Sequence, residues 1–411
     1  MSGAGWKAFS LHPDDLLFFR DGKPSARGED HYLRSLFPPN PSTLYGALRT
    51  RRLMDEGISL DGLDEVAWRS MGSALRMELG EWGGFGEMTI RGPWLVKDGS
   101  VLLPVPADLG LVFKEKSGKK QTGIKFAEVQ IPACERIERM VRYRPVDVDR
   151  GRCSHPLALM TPFFLENGKW EEVPGDIEPE MSSGWFLKPE GIIRWMDGIL
   201  PDKTSLVHRT DLWLEEMRTG VGLKESERTH EEHQLYTFGH IRLKTNVALG
   251  FEVSGSGLAF GGHIRIGGEG RTARLDDGPL FPFTKSMTVE RTTRRVAVCL
   301  GTHSLTRTGV YFPGFSERIL SGSVGGIPCR LVGAVVKGHV LVGGWDLARK
   351  EPKSLRRAIP AGSVFVFETT GEEASTESVA AISGCNFSDA FPGNGNLKKQ
   401  GFGLALAGAS L

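Results

Sequence analysis

Short apolar runs, separated by glycine, proline and charged residues, recur along most of the chain. This pattern is typical of strands joined by tight turns. The clearest case is the segment 92–106, where the runs GPWLV and VLLPVP flank a polar turn at residues 97–100 and predict a β-hairpin. Further strand patterns are VALGFEV, RRVAVCLGT, VLVGGW and GSVFVFE.

Helical spacing of apolar residues is confined to a few segments. One helix is predicted from residue 42 onward, and a second begins after Asp61 or Asp64 and buries a stripe within residues 63–75. The acidic stretch 371–382, rich in small residues, predicts a third, short helix. Strands therefore dominate, and the predicted fold class is α+β.

The chain is longer than one ordinary domain, and a change in composition at residues 276–279 predicts a boundary there. The first domain then covers residues 1–278 and the second covers residues 279–411. Within the first, the segment from about 110 to 200 predicts an irregular insertion and not a separate domain. Residues 217–236 are dense in charge and lie between strand-like segments, which predicts either a long β-hairpin arm or a solvated, flexible loop.

Residues 11–49 contain a candidate anion site. A short predicted strand ends in a charged turn with Arg20 and Lys23, and a proline-rich stretch then leads to Ser42. Ser42 is a favourable N-cap, and Arg49 lies outside the apolar stripe of the helix that follows. A helix N-terminus beside basic residues binds anions such as phosphate, because its N–H groups are free and its dipole end is positive. Taken alone, the same features also fit an ordinary solvated surface.

Two glycine clusters are further candidates for ligand contact. Glycine lets a backbone approach a phosphate closely, and neighbouring cations add charge; the ordinary alternative in each case is a turn. Neither cluster contains GxGxxG or GxxxxGK[ST], so dinucleotide and P-loop chemistry have no support. The residues concerned are Gly268 and Arg271 in the string GGEGR, and Lys398, Lys399, Gly401 and Gly403 in the string KKQGFG.

Composition restricts the possible functions. The chain has 51 Lys and Arg against 50 Asp and Glu, so any nucleic-acid surface must be a local patch. The five cysteines include no CxxC pair, and the string HEEH at 230–233 is not the HExxH zinc motif, so no metal site is predicted. No signal-like N-terminus or long apolar run is present, and we expect a cytoplasmic protein without membrane contact.

Several strings of this sequence occur together in one known family. They are FFRDGKP (18–24), FPPNPSTLYGALR (37–49), QLYTFGHIRL (234–243), GGEGR (267–271), GWD (344–346) and PAGSVFVFE (360–368). With them the chain resembles the RAMP (repeat-associated mysterious protein) family, and more narrowly the RAMP subunit of type III-B (Cmr) CRISPR effector complexes that holds the guide RNA 5′ tag. The resemblance covers both ends of the chain but not residues 110–200.

The resemblance implies two ferredoxin-like (RRM-like) RAMP modules with irregular insertions, a thumb-like β-hairpin arm at about 217–236 and a C-terminal Gly-rich loop. It implies a non-catalytic subunit without a cofactor that holds the 5′ tag of CRISPR RNA (crRNA), with target RNA as a further ligand. The implied protein partners are the large polymerase/cyclase-like subunit and the first backbone RAMP subunit. The suggested RNA-binding residues are Arg20, Lys23, Ser42, Arg49, Arg218, Lys224, His230, Gly268, Arg271, Lys398, Lys399, Gly401 and Gly403.

Two other functions stay open. One is a metal-independent endoribonuclease of the same superfamily that processes CRISPR RNA, since His12, His31 and Tyr45 lie in the right region for acid–base chemistry. The other is a β-rich carbohydrate-binding protein, although core packing is the ordinary role of tryptophan. The tryptophans considered as sugar platforms are Trp94, Trp170, Trp185, Trp195 and Trp345.

Overall fold

A computed structural model describes residues 5–20, 31–114, 133–146, 157–166, 169–175, 177–223, 230–284, 292–346, 351–391 and 396–410. The strands before residue 279 are β1 (Lys7–Pro13), β2 (His31–Arg34), β3 (Thr89–Lys97), β4 (Ser100–Pro104), β5 (Leu109–Phe113), β6 (Ile137–Val146), β7 (Leu159–Glu166), β8 (Lys169–Glu172), β9 (Glu180–Met181), β10 (Trp185–Leu187), β11 (Leu206–His208), β12 (Trp213–Leu223), β13 (His230–Leu243), β14 (Val247–Ser254), β15 (His263–Arg265) and β16 (Thr272–Asp277).

The second half is also rich in strands. These are β17 (Thr292–Thr293), β18 (Arg295–Leu300), β19 (Ser304–Leu305), β20 (Ser321–Val324), β21 (Ile327–Val335), β22 (Val340–Val342), β23 (Trp345–Asp346), β24 (Glu351–Pro352), β25 (Arg356–Ile359), β26 (Val364–Thr369), β27 (Ala374–Ser375) and β28 (Ala405–Ala409). The α-helices of the described residues are α1 (Pro41–Asp55), α2 (Glu65–Ser70), α3 (Ser73–Leu79), α4 (Pro189–Met196) and α5 (Thr376–Ala380). The fold is therefore mixed and mostly β, as the pattern predicted.

Eight antiparallel strands form the main sheet of the first half, in the order β11-β10-β4-β3-β14-β1-β16-β15. Its register places Phe9 of β1 opposite Phe251 of β14, and both side chains are fully buried. Helix α1 covers this face through Leu44, Tyr45 and Leu48, which recur at helical spacing and join the same apolar cluster. The N-terminal end of α1 is thereby fixed beside the sheet.

Two local predictions are confirmed. The strands β3 and β4 form the expected hairpin, and its turn residues Asp98 and Gly99 have φ of 50° and 77°, as a two-residue type I′ turn requires. The acidic segment in the second half forms α5, and Ser375 caps it by accepting from the Ser378 N–H at 3.2 Å.

The second predicted helix is two helices in the structure. Asp64 caps α2 as expected, since its Oδ1 accepts from the Ala67 N–H at 2.8 Å. The chain then leaves helical conformation at Met71, and Gly72 precedes α3. Val66, which the single stripe placed in the core, is 76% exposed, and α2 buries Trp68 instead, whereas α3 buries Leu75 and Leu79.

The described residues of the charged segment 217–236 form a hairpin arm. β12 pairs antiparallel with β13, from Trp213 opposite Leu243 to Leu223 opposite His230. β2 adds to β13 in parallel, so the arm becomes a three-stranded sheet. Of the two alternatives that the sequence left open, the hairpin is confirmed.

The insertion is a sheet, and the prediction of an irregular segment is wrong for its described residues. Five antiparallel strands lie in the order β8-β7-β6-β5-β9, and Val141, Phe164 and Val173 form a small core of their own. Proline and glycine at the ends of the short apolar runs mark turns between paired strands. The Ala158 N–H donates to the Val332 carbonyl at 2.8 Å, which ties the insertion to the second half.

The main sheet of the second half has the order β20-β21-β26-β18-β28. In each half, four long strands occur in the spatial order second, third, first, fourth along the chain: β3-β14-β1-β16 and β21-β26-β18-β28. In the first half, α1, α2 and α3 lie between the first and second of these strands and α4 lies between the second and third, whereas residues 255–271 contain no α-helix. The second half has α5 between the third and fourth, and residues 301–326 contain no α-helix.

The two halves share one hydrophobic core. Trp94 and Leu103 of the first sheet and Trp195 of α4 pack in one cluster with Val364 and Leu406 of the second sheet. The Lys337 ammonium of the second half donates to the Val105 carbonyl of the first at 2.7 Å, and burial lowers the pKa of Lys337 to about 8. The first sheet is therefore covered on one face by α1 and on the other by the second half.

Candidate nucleic-acid interface

A cavity of about 140 Å³ lies at the N-terminal end of α1, and we call it the α1 cavity. By volume it has room for roughly four or five waters, or for a compact anionic group. Three segments that are distant in sequence meet around it, and the first of them includes Arg20, whose side chain is exposed. The lining residues are Phe19, Arg20, Leu36, Asn40, Thr43, Gly267 and Gly268.

Backbone hydrogen bonds position the walls of the α1 cavity. The Leu36 N–H donates to the Phe19 carbonyl at 2.8 Å, and the Gly268 N–H donates to the Phe18 carbonyl at 2.8 Å. Gly267 has φ of 83°, and a Cβ there would lie 2.4 Å from the Phe18 carbonyl oxygen. Glycine is required at position 267 because only a residue without a side chain allows this close approach.

The N-cap of α1 is Asn40, and the prediction of Ser42 is wrong. Asn40 has extended φ and ψ of −60° and 142°, Pro41 occupies the first helical position and Ser42 the second. The first N–H groups of a helix have no partner within the helix, so proline, which lacks an N–H, loses no hydrogen bond at this position. Pro41 can therefore be helical, whereas the sequence argument placed it before the helix. The Asn40 Oδ1 is buried with no hydrogen-bond partner among the described residues, at the wall of the α1 cavity.

Beside the α1 cavity lies a charged cluster that we call the arm-base network. Asp15 contacts three guanidinium groups: those of Arg242 at 3.2 Å, Arg271 at 3.6 Å and Arg218 at 3.7 Å. Burial alone would raise the pKa of Asp15, but the Leu16 N–H and the charges of Arg242 and Arg218 hold it below its ordinary value. The network consists of Asp15, Glu216, Arg218, His240, Arg242, Glu269 and Arg271.

Glu269 joins the arm to the glycine turn. Its Oε2 lies 2.8 Å from the His240 Nε2 of β13 and accepts from the Arg271 Nη2 at 2.9 Å. The hydrogen bond with His240 is the main reason why the pKa of Glu269 is below its ordinary value, and Arg271 lowers it further. Glu269 has φ of 56°, a left-handed conformation that costs a non-glycine residue about 1–2 kcal/mol, so these contacts offset local strain.

The structure brings together four of the residues that the sequence proposed. Arg20 and Gly268 line the α1 cavity, and Arg271 and Arg218 lie in the arm-base network. Ser42 is half-buried in the first turn of α1, next to the cavity wall at Thr43.

Other proposed residues lie elsewhere. The Arg49 guanidinium packs over the rings of Trp68 and Phe85, at 5.5 and 5.6 Å from their centroids, on the side of α1 away from its N-terminus. His230 begins β13, and its side chain lies outside the described part of the chain. Lys23 and Lys224 lie outside the described residues.

The C-terminal glycine loop is packed against the protein itself. A Cβ at Gly401 would lie 2.6 Å from the Gly92 carbonyl oxygen, and one at Gly403 would lie 1.6 Å from the Phe387 carbonyl oxygen. The Lys399 ammonium donates to the Gly86 carbonyl, whereas Lys398 is exposed. The close approach that glycine permits in this loop is therefore made to the protein's own backbone.

Sequence reasoning missed Asn40, Asp15, His240 and the role of Glu269. A signal for Asn40 was present, because Asn followed by Pro is a typical N-cap and first helical residue. The other three are charged or polar residues of loops and strands that are joined to one another and to the arm by partners 29 or more positions away, although Glu269 also contacts Arg271 two positions along the chain. Local sequence carries no signal for the distant contacts.

The described residues include no group of three or more His, Cys, Asp or Glu side chains arranged to hold a metal ion. No helix in the described ranges is long and apolar enough to cross a membrane.

Comparison with known protein families decides the identity. The model of the family described as CRISPR-associated protein (Cas_Cmr3) matches residues 9–410, nearly the whole chain. The chain belongs to the Cas_Cmr3 family. The match confirms the resemblance to a Cmr-type RAMP subunit that the sequence motifs indicated. A search of curated proteins finds no match.

Solved structures give weaker similarities. A chain of a type III-B Cmr-beta complex bound to cognate target RNA and AMPPnP aligns with 15% identity and a TM-score of 0.46, over 88% of this chain and 86% of that one. A second Cmr-beta structure, bound to cognate target RNA, gives the same identity and coverage with a TM-score of 0.43. A chain of a type III-A Csm3-Csm4 subcomplex gives 10% identity and 0.32, over 90% and 98%. The family assignment rests on the sequence match alone.

Proposed function

We propose that this type III-B Cmr subunit is a non-catalytic RNA-binding protein that holds the 5′ tag of crRNA in antiviral defence. The observation that carries the proposal is the α1 cavity, where Arg20, the α1 N-terminus and the GGEGR turn meet. A phosphate of the tag would lie at this helix end, where the positive dipole end and the Arg20 charge favour an anion. Of the first helical residues, Pro41 has no N–H and the Thr43 N–H donates to the Asn40 carbonyl at 2.9 Å.

The arrangement of strands supports the proposal of two ferredoxin-like modules. The order second, third, first, fourth, with all neighbours antiparallel, occurs in both halves. In the ferredoxin-like fold two helices cross the same face of such a sheet. Each half would then be a module that has lost one of its two crossover helices and buries the uncovered surface against the other half or the insertion.

The absence of catalysis is part of the proposal, and the candidate nuclease residues support it. Tyr45 is 2% exposed, and its hydroxyl donates to the Met88 carbonyl at 3.2 Å. Burial raises the pKa of Tyr45 to about 12, so it would be a poor proton donor to RNA. His12 lies on β1, and its Nε2 is 3.8 Å from the Asp276 carboxylate.

The proposed partners follow from membership of the Cas_Cmr3 family. We expect the protein to contact crRNA, target RNA, the large polymerase/cyclase-like subunit and the first backbone RAMP subunit in the cytoplasm. A nearly neutral chain is suited to burying large faces against such partners, since its own repulsion is small.

Crosslinking tests the tag assignment. crRNA with a photoreactive nucleotide placed either in the tag or in the guide would be assembled with the full Cmr complex, and crosslinked peptides would be identified by mass spectrometry. We expect tag crosslinks to the walls of the α1 cavity. Crosslinks along the guide that spare the tag would contradict the proposal.

Salt dependence tests the phosphate contact. On single strands the slope of log affinity against log salt is about −0.7 for each phosphate neutralised. Arg20→Ala should weaken binding of tag-containing crRNA and reduce this slope by about 0.7, measured by fluorescence anisotropy. The control is Arg69→Ala, which removes an exposed cation paired with Glu65 on α2 and should leave the affinity and the salt slope unchanged.

A cleavage assay tests the alternative function. Specific cleavage of repeat RNA by the pure protein in EDTA would support the nuclease instead.

A further inference from the structure

One tryptophan is exposed on a hairpin that the proposed site does not include. Trp345 in β23 is 57% exposed, whereas Trp94, Trp185 and Trp195 are at most 7% exposed. A large aromatic side chain left in solvent is unusual, because burying it would stabilise the fold by removing apolar surface from water. Trp345 is therefore a candidate contact for a partner.

The base of this hairpin is held firmly by the second half. β22 pairs with β25, and their inward residues Val342 and Ala358 pack with Phe402 in one buried cluster. The Arg356 guanidinium lies 4.5 Å from the centroid of the Phe391 ring on the same side. β23 and β24 continue the hairpin beyond this base, with Trp345 opposite Pro352. The exposed ring thus extends from a fixed support.

The described part of the hairpin carries cations close to Trp345. By sequence, residues 340–346 and 351–357 contain three Lys or Arg (Lys353, Arg356 and Arg357) and two Asp or Glu. Among the described residues, Arg357 is exposed on the face opposite Val342, and Lys353 follows β24. Apolar protein interfaces are depleted in charge at their centre, whereas single-stranded nucleic acid binds where aromatic rings lie among cations.

We propose that Trp345 is a stacking platform for an unpaired base of single-stranded RNA, with Lys353 and Arg357, which lie on the side of Trp345 toward the base of the hairpin, attracting the backbone. This surface is in the second half, and it is separate from the α1 cavity. The inference rests on the proposed function in one respect, namely that the ligand of this subunit is RNA. Stacking on a tryptophan tolerates any base, so this contact would add affinity without reading sequence.

The test uses the full-length protein with a fluorescent oligouridylate that contains no tag sequence. Trp345→Ala should weaken binding about 5- to 150-fold, the range expected for loss of one stacked base. Trp345→Phe should retain most of the affinity, because a phenyl ring still stacks. The matched control is Leu355→Ala, which removes another exposed apolar side chain, 43% exposed, from the same hairpin and should leave RNA binding unchanged. Unchanged unfolding midpoints would show that each variant is folded.

The outcomes separate this inference from the proposed function. If Trp345→Ala binds oligouridylate as the wild type does, while Arg20→Ala loses affinity for tag RNA, the stacking platform is refuted and the tag site stands. If neither variant changes its RNA affinity, both proposals fail. If Trp345→Ala and Leu355→Ala instead release a neighbouring Cmr subunit without changing RNA affinity, the hairpin is a protein-docking surface.

Discussion

Asn40 combines a helix cap with a wall of the α1 cavity. Its Oδ1 is buried without a partner among the described residues, and an unsatisfied buried acceptor costs about 1–3 kcal/mol. Such a cost is typical of positions that complete their hydrogen bonds with a ligand or water. At the residue scale, the stability of α1 and the proposed binding of an anion would make opposite demands on the charge at position 40.

Asn40→Asp should separate these demands. An aspartate at the N-cap favours the positive helix end by about 0.3–1 kcal/mol, so the thermal midpoint should rise or stay equal. The same charge would repel a phosphate in the α1 cavity by about 1 kcal/mol or more, weakening tag RNA at least about fivefold. The matched control is Ser375→Asp at the N-cap of α5, which adds equal charge and should not change RNA affinity. If Asn40→Asp and the wild type bind tag RNA with equal affinity, no phosphate of the tag lies in the α1 cavity.

Gly403 tests whether the C-terminal glycine loop is structural. Its φ is 76°, and a Cβ would clash with the Phe387 carbonyl oxygen. Gly403→Ala should lower the free energy of unfolding by more than about 2 kcal/mol, because the left-handed conformation alone costs about 1–2 kcal/mol. Gly371→Ala, where a Cβ meets open space, serves as the control in urea unfolding. A stable Gly403→Ala protein with weakened RNA binding would restore the loop as a ligand contact.

At the scale of elements, the arm and the glycine turn are coupled through the arm-base network. His240 of β13, Glu269 of the turn and Arg271 meet within 3.2 Å, and Asp15 links Arg271 to both strands of the arm. Movement of the arm would therefore shift the wall of the α1 cavity at Gly267 and Gly268.

The stability contributed by the arm-base network should decrease at acidic pH. Glu269 has a folded-state pKa below its ordinary value of 4.5, so the stability that it contributes is present above pH 4.5 and is lost as pH falls through the lowered folded value. Glu269→Gln should therefore show a smaller loss of stability on acidification than the wild type, measured by urea unfolding from pH 6 downward. Glu65→Gln, on an exposed pair in α2, should retain the wild-type dependence.

Elements whose signal is local were predicted well. The 92–106 hairpin and α5 depend on turn and capping residues within a few positions, and the structure has both. The insertion was predicted to be irregular because its sequence lacks a clear alternation of apolar and polar residues. Its strands are defined by their pairing with distant residues, such as Arg142 opposite Phe163. The second helix was predicted as one because helical spacing continues across Gly72 while the backbone does not.

At the scale of the whole molecule, the two halves depend on each other. Trp94 and Trp195 of the first half pack with Val364, Leu404 and Leu406 of the second in one cluster. Separating the halves would expose this apolar surface to water at roughly 25 cal/mol for each Å².

The isolated fragment 279–411 should therefore fail to fold as a cooperative unit. Its second sheet would lose the cover of the first sheet and of α4, so we expect aggregation or strong binding of a hydrophobic dye, without a cooperative unfolding transition. The same fragment co-expressed with residues 1–278 should be recovered as a soluble complex. Cooperative unfolding of the fragment alone would show that the boundary separates independent domains.

The sequence by itself determined the class of fold, the family and two walls of the candidate site. Turn residues and capping residues act on their neighbours along the chain, and family motifs are short continuous strings. Arg20 and the GGEGR string could therefore be recognised from local sequence. Only the tertiary structure decided that these two segments meet at the α1 N-terminus, that Arg49 and Lys399 are held by the protein itself, and that Trp345 is exposed. The physical reason is that burial and pairing depend on strands and loops that lie far apart in the chain.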